Sequence, residues 1–155
     1  MTPTAPSLFQ VDIGLVENFC TLLCLPESGE CVLCDPAFEI DRLLRILDER
    51  RLSARAVLLT HSHFDHIDGL PELLQRTAAQ RAEPLSVYVG DGEAEAVRAH
   101  CEKSGVTPAL VPLRGGELLQ FGEVPVEVIA TPGHTRAGRS YHLPTLAAVL
   151  TGDTL

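Results

Sequence analysis

The sequence predicts an α/β fold in which a mixed sheet carries helices packed on one face. Three observations lead there. Strand-like apolar runs open the chain, alternating helical and strand segments follow, and short strands return after Glu117. Two segments carry apolar residues at helical spacing. Hydrophobic residues make up 45% of the 155 positions and charged ones 21%, the balance of a globular chain and not of a disordered one.

The elements follow in order. Leu8 to Val16, Phe19 to Leu25 and Glu30 to Cys34 read as strands, parted by turn signals at Glu17-Asn18 and Glu27-Ser28-Gly29. Phe38 to Arg51 reads as a helix, with Ile40, Leu43, Leu44 and Leu47 on one stripe. Ala56 to Thr60 suits a buried strand, with the segment His61 to Asp68 on a loop at its end. A second helix is expected over Leu70 to Gln80, a strand over Leu85 to Val89 and a third helix over Glu93 to Lys103, closed by Ser104-Gly105. Leu118 to Phe121, Val124 to Ala130, Arg139 to Leu143 and Ala147 to Gly152 read as strands joined by turns marked by Gly or Pro.

Charge and cysteine usage narrow the function classes. Twelve basic residues against 21 acidic ones give a net charge of −9, a field that repels phosphate backbones and argues against nucleic-acid binding. No apolar run approaches the roughly 20 residues that span a bilayer, and Met1 to Leu8 lacks the pattern of a secretory signal. A soluble, cytoplasmic protein is expected. Five cysteines, Cys20, Cys24, Cys31, Cys34 and Cys101, are an odd number and read as reduced thiols. Cys31 and Cys34 sit in a strand-like run, where they point to opposite faces, so a zinc ribbon is disfavoured. A hairpin turn over Pro26 to Gly29 would set Cys24 across from Cys31 as packed thiols.

The chemistry concentrates in His61-Ser62-His63-Phe64-Asp65-His66. Four strong ligands within six residues suit zinc, iron or manganese. His61 and His63, one residue apart, can turn toward one ion, while Asp65 and His66 can diverge toward a second. His134 in Thr131-Pro132-Gly133-His134-Thr135 and Asp153 in Thr151-Gly152-Asp153 each follow an expected strand, and a rigid sheet gathers ligands in this way. His100, near a helix C-terminus, reads as a solvated residue, and His142 as a strand residue rather than a ligand. Arg136 and Arg139 flank the site and could hold an anionic group or pair with surface carboxylates.

The segments Thr60 to Gly69, Ala130 to Thr135 and Thr151 to Leu155, with Cys34-Asp35-Pro36, resemble the ordered motifs of the metallo-β-lactamase superfamily, especially its glyoxalase II-like hydrolases. The resemblance implies an αββα sandwich, its first half complete and its second half incomplete, with this chain as the N-terminal two-thirds of the domain. It implies that His61, His63 and His134 bind a first metal, that Asp65 and His66 bind a second, and that Asp153 bridges them. Asp35 would orient ligands from behind. Two zinc ions are implied, with iron or manganese as substitutes.

The implied activity is hydrolysis of a small acyl or thioester substrate by a metal-activated water, with Asp65 orienting that water. An iron-dependent sulfur dioxygenase shares the fold and motifs and is the alternative, as is an inactive truncated fragment. Two features depart from the family pattern. A further histidine expected after the bridging aspartate is absent, and Arg136-Ala137 stands where Pro-Gly is common. The sequence leaves oligomeric state open. The strands beyond Leu118 are expected to expose an apolar face, and the chain alone is expected to be a poor enzyme.

Overall fold

A computed structural model describes residues 5–14 and 18–155. Its first sheet has six strands, β1 (Ser7–Ile13), β2 (Asn18–Leu25), β3 (Glu30–Cys34), β4 (Ser53–Leu58), β5 (Ser86–Gly90) and β6 (Ala109–Leu113), in sequential order. The first three pair antiparallel, and β3 to β6 run parallel. Parallel neighbours need a crossover. Helices α1 (Ile40–Glu49), α3 (Leu70–Ala78) and α4 (Ala94–Glu102) supply the three required, and the single turn α2 (Phe64–Ile67) precedes α3. The second sheet is antiparallel, ordered β10-β9-β8-β7 from β7 (Leu118–Phe121), β8 (Val124–Ala130), β9 (Arg139–Leu143) and β10 (Ala148–Leu150).

Two cores follow from this layering. The helices bury Leu43, Leu47, Leu70, Leu73 and Val97 against Ile13, Leu22, Leu33 and Val87 of the first sheet. The sheets meet through Leu23, Val32 and Leu58 on one side and Val124, Val126, Val128, Tyr141 and Leu143 on the other. The fold is therefore of the metallo-β-lactamase type, with one helical layer over two packed sheets. β2 is buried on both faces from Cys20 to Leu25, which explains its unbroken apolar sequence.

Several expected boundaries move. The strand expected over Ala56 to Thr60 runs from Ser53 to Leu58, leaving Thr60 outside the ladder. The segment expected as a loop from His61 becomes helical at Phe64. The expected strand over Ala147 to Gly152 shortens to Ala148–Leu150. Strand β6 was not expected at all, because Pro108 and Pro112 interrupt its apolar pattern; as an edge strand it tolerates the missing donor. Leu15, Val16 and Glu17, expected in the first strand and turn, lie outside the described residues.

Cys24 sits opposite Cys31 in the β2–β3 register, as expected. Cys31 faces the helical core and Cys34 the inter-sheet core, so these two thiols cannot converge on one ion. The outer face of the second sheet bears out the expected apolar exposure only in part, because polar residues break it up. Alternation sends Val124, Val126 and Val128 inward and leaves exposed Leu118, Ile129 and Val149 interleaved with Glu127 and His142. Among the described residues no helix is long and apolar enough to cross a membrane.

Candidate metal centre

The ends of the parallel strands build the site, the usual place for ligands in an open α/β sheet. Asp35 follows β3, His61 follows β4, and Glu93 closes a 3₁₀ turn (Asp91–Glu93) after β5. The second sheet adds His134, in the loop after β8, and Asp153, in the 3₁₀ turn after β10.

Three histidines form one cluster. Nε2 of His61 lies 3.1 Å from Nδ1 of His63, and Nε2 of His134 lies 2.9 Å from that same Nδ1. A second cluster joins His61, His66 and Asp153, with all donor atoms within 4.8 Å of one another. Asp153 directs Oδ1 to His66 Nε2 at 3.2 Å and Oδ2 to His134 Nε2 at 3.4 Å, placing one carboxylate oxygen toward each cluster. Asp65 is adjacent to His66 on the single turn of α2, and the roughly 100° step between helical neighbours spreads their side chains. Its Oδ2 stands 3.9 Å from His66 Nε2.

The hydrogen bonds behind these residues fix which ring nitrogens face inward. Thr60 gives its backbone N–H to Asp35 Oδ1 at 2.8 Å and its hydroxyl proton to Asp35 Oδ2 at 2.6 Å. With that proton committed, Nδ1–H of His61 donates to the Thr60 oxygen at 3.0 Å, and Nε2 keeps its lone pair. Nδ1–H of His66 donates to Asp35 Oδ2 at 2.9 Å. His66 Nε2 is then a buried polar atom with no hydrogen bond. Such an orphan is costly unless a ligand takes its lone pair, and imidazole and carboxylate donors suit a divalent metal.

Electrostatics favour the neutral ring at His61 and the charged ring at His66, so an ion would have to displace a proton only at His66. Burial, followed by the charge of His66, holds His61 below its ordinary value, which favours the neutral imidazole a metal needs. Burial also works against a charged His66, but the hydrogen bond and charge of Asp35, with Asp153 and Asp65, raise its pKa overall. A cavity of about 230 Å³ beside this cluster is lined by Asn18, Thr21, Asp35, His66 and Asp153 among others.

Five of the sequence-predicted ligand candidates, His61, His63, His66, His134 and Asp153, gather in these two clusters; Asp65 belongs to neither and stands beside His66, with Asp35 behind the site. His142 is remote from both; it bonds Glu127 at 2.8 Å on the outer face of the second sheet. His100 is half-buried on α4. Arg139 pairs with a carboxylate, as expected, but with that of Asp91 and from a buried position rather than at the surface. It is buried, and its guanidinium donates to the carbonyls of Leu113, Ala137 and Gly138 and to Asp91. Arg136 is exposed.

Three contributors were missed by sequence reasoning. Asn18 donates to the Asp65 carbonyl at 2.6 Å and to Asp65 Oδ2 at 3.3 Å. Thr60 relays between His61 and Asp35, and the Glu93 carboxylate accepts from Ser62. Only Thr60 carried a signal, its place directly before His61; Asn18 and Glu93 reach the site across the fold.

Comparison with known proteins places this geometry. The model of the Metallo-beta-lactamase superfamily matches residues 13–155. The chain is similar to BaeB of Bacillus velezensis, a probable polyketide biosynthesis zinc-dependent hydrolase, at 30% identity over 138 residues, 89% of this chain and 55% of that protein. It is 31% identical over 142 residues to hydroxyacylglutathione hydrolase of Thermosynechococcus vestitus, covering 92% of this chain and 50% of that protein. The solved structure of TTHA1623 in a di-iron-bound form superposes with a TM-score of 0.70 at 28% identity, covering 91% of this chain and 69% of that one. The chain spans about half the length of the curated relatives it matches. The family match runs from the last residue of β1 through every later element, and the chain belongs to the metallo-beta-lactamase superfamily.

Proposed function

We propose that the chain carries the metal-holding core of a hydrolase acting on a small acyl substrate, with a thioester as the preferred class. The observation that carries this reading is Asp153, which presents one carboxylate oxygen to His66 and the other to His134. His61, His63 and His134 would hold one ion, His66 and Asp65 a second, and Asp153 would reach both. When bound, divalent metal supplies Lewis acidity that acidifies water and polarises an acyl carbonyl.

The chain's own residues do the rest. Asp65, steadied by Asn18, has a carboxylate oxygen free to orient the attacking water and accept its proton. Asp35 and Thr60 keep the His61 and His66 rings in the tautomers that face inward. The names of the two curated relatives support zinc and a hydroxyacylglutathione, a thioester, while the di-iron-bound form of the structural neighbour supports iron as the alternative metal.

The test is metal content followed by hydrolysis. Purified protein is analysed for zinc and iron, then assayed with a 2-hydroxyacyl thioester of glutathione before and after chelation. Bound metal with chelator-sensitive hydrolysis is expected. Hydrolysis that survives complete metal removal would end the reading.

A further inference from the structure

Glu93 belongs to neither ligand cluster, yet it is a buried carboxylate, 7% exposed, at the edge of the site. Its Oε2 accepts the Ser62 N–H at 3.0 Å and also the Ser62 hydroxyl. Ser62 lies between His61 and His63. Burial works to raise the Glu93 pKa, but the Ser62 bonds outweigh it and hold the carboxyl below its ordinary value, while the hydroxyl of Thr135, the residue after His134, makes no hydrogen bond. One carboxylate therefore ties down the residue between two of the three histidines in the first cluster.

The turn that carries Glu93 is itself seated against the His134 loop. A Cβ built on Gly92 would stand 2.8 Å from the Ala137 Cβ, and one on Gly90 would overlap the Ala137 carbonyl oxygen. Arg139 ties the start of the turn to β9 through Asp91 at 3.2 Å, while its other donors hold the Ala137 and Gly138 carbonyls. The turn is fixed from below by β5 and from the side by the loop. Its carboxylate has little freedom to follow Ser62 if Ser62 moves, so position is transmitted from Glu93 to the histidines and not the reverse.

We propose that Glu93 is a positioning residue that sets the spacing between the His61–His63 segment and the His134 loop, and so sets first-site metal affinity. The inference rests on the metal reading for its consequence but not for its geometry. A buried carboxylate with two donors on one ligand loop, carried on a turn packed against the other, acts as a common anchor. Losing such outer support typically weakens metal binding by about 10- to 100-fold.

The test uses the full chain with zinc, with cobalt as a spectroscopic stand-in, and with no metal. Glu93→Ala is expected to weaken zinc binding by about 10- to 100-fold and to change the visible spectrum of the cobalt form. Glu93→Gln, which keeps an acceptor oxygen for Ser62, should restore most of the affinity and the wild-type spectrum. In the metal-free protein, Glu93→Ala should speed amide hydrogen exchange in residues 60–66 and 131–136 together.

Unchanged zinc affinity and cobalt spectrum in Glu93→Ala would overturn the proposal, as would faster exchange confined to residues 60–66. If the wild-type chain binds neither metal, the metal reading fails, and the paired exchange still decides whether Glu93 anchors both segments. Should Glu93→Ala not fold, Ser62→Ala takes its place. Loss of that hydroxyl must lower affinity in the same direction, and unchanged affinity counts against the anchor.

Discussion

Nδ1 of His66 rests 2.9 Å from Oδ2 of Asp35. That carboxylate also takes the Thr60 amide and hydroxyl, so a single side chain orients His66 directly and His61 through Thr60. Asp35 holds a left-handed backbone, φ 53°, which aspartate and asparagine tolerate better than most residues.

Asp35→Asn should therefore fold, while losing the charge that keeps the His66 proton on Nδ1. Asp35→Ala should cost about 2–4 kcal/mol, because it strands buried donors and fits the left-handed backbone poorly. Both should weaken metal binding at the His66 position by about 10-fold or more. Thermal melts of the metal-free protein and zinc competition titrations give the two numbers. Equal stability of Asp35→Ala and wild type would contradict this account.

Metal binding and turnover should separate in a second pair of variants. His63→Ala removes a donor from the three-histidine cluster and should abolish hydrolysis by loss of the ion. Asp65→Asn leaves that cluster intact, so it should lower kcat by about 100-fold or more while first-site occupancy stays near wild type. Metal analysis beside steady-state kinetics checks the split, and parallel losses of metal in both variants would refute it.

Gly90 shows a purely steric requirement. Its φ of −54° suits any residue, but an added Cβ would overlap the Ala137 carbonyl oxygen, which is held by the Arg139 guanidinium. Gly90→Ala should destabilise the protein by about 2–3 kcal/mol through forced movement of a packed loop. It should also loosen zinc binding, since that loop carries His134. Urea unfolding with and without zinc measures both effects, and a neutral substitution would mean the loop yields freely.

Acid should expose the turn at Arg114. Partial burial works to raise the Glu117 pKa, but the backbone N–H groups of Arg114 and Gly115, 2.6 and 2.8 Å away, outweigh it and hold the value below the ordinary 4.5. A depressed carboxylate pKa adds stability above the unfolded value, and that stability disappears as pH falls through the folded one. Glu117→Gln should be less stable than wild type at pH 7, with the gap closing below about pH 4. Melting curves across pH 3–7 test this; a gap that widens toward acid would reverse the sign.

What could be read in advance depended on how local the signal was. His61, His63, Asp65 and His66 announce themselves because they crowd into six residues, and His134 and Asp153 because each follows a strand. The helices of the first half were legible from the stripe Ile40, Leu43, Leu47, all three of which are buried. Glu93 and Asn18 were not legible, since each meets its partner only after the sheet has brought distant segments together. Arg139 was legible only as a carboxylate partner, for a related reason. An arginine beside a metal motif invites an anion, and nothing in the sequence tells that its guanidinium is spent on three carbonyls. Strand β6 escaped because prolines usually end strands, and only its place at the sheet edge excuses them.

Thr60 touches all of these parts at once. It bonds Asp35, receives the Arg139 N–H at 2.8 Å, supports His61, and leaves room for nothing larger than glycine at position 152. The metal donors therefore meet only when the two sheets have docked around that one residue, and contacts so distant in sequence close late along a folding path. An ion bound there would stabilise the finished state more than the transition state that precedes docking. Zinc should accordingly leave the refolding rate almost unchanged and slow unfolding, so its benefit would be a longer native lifetime and not a quicker assembly.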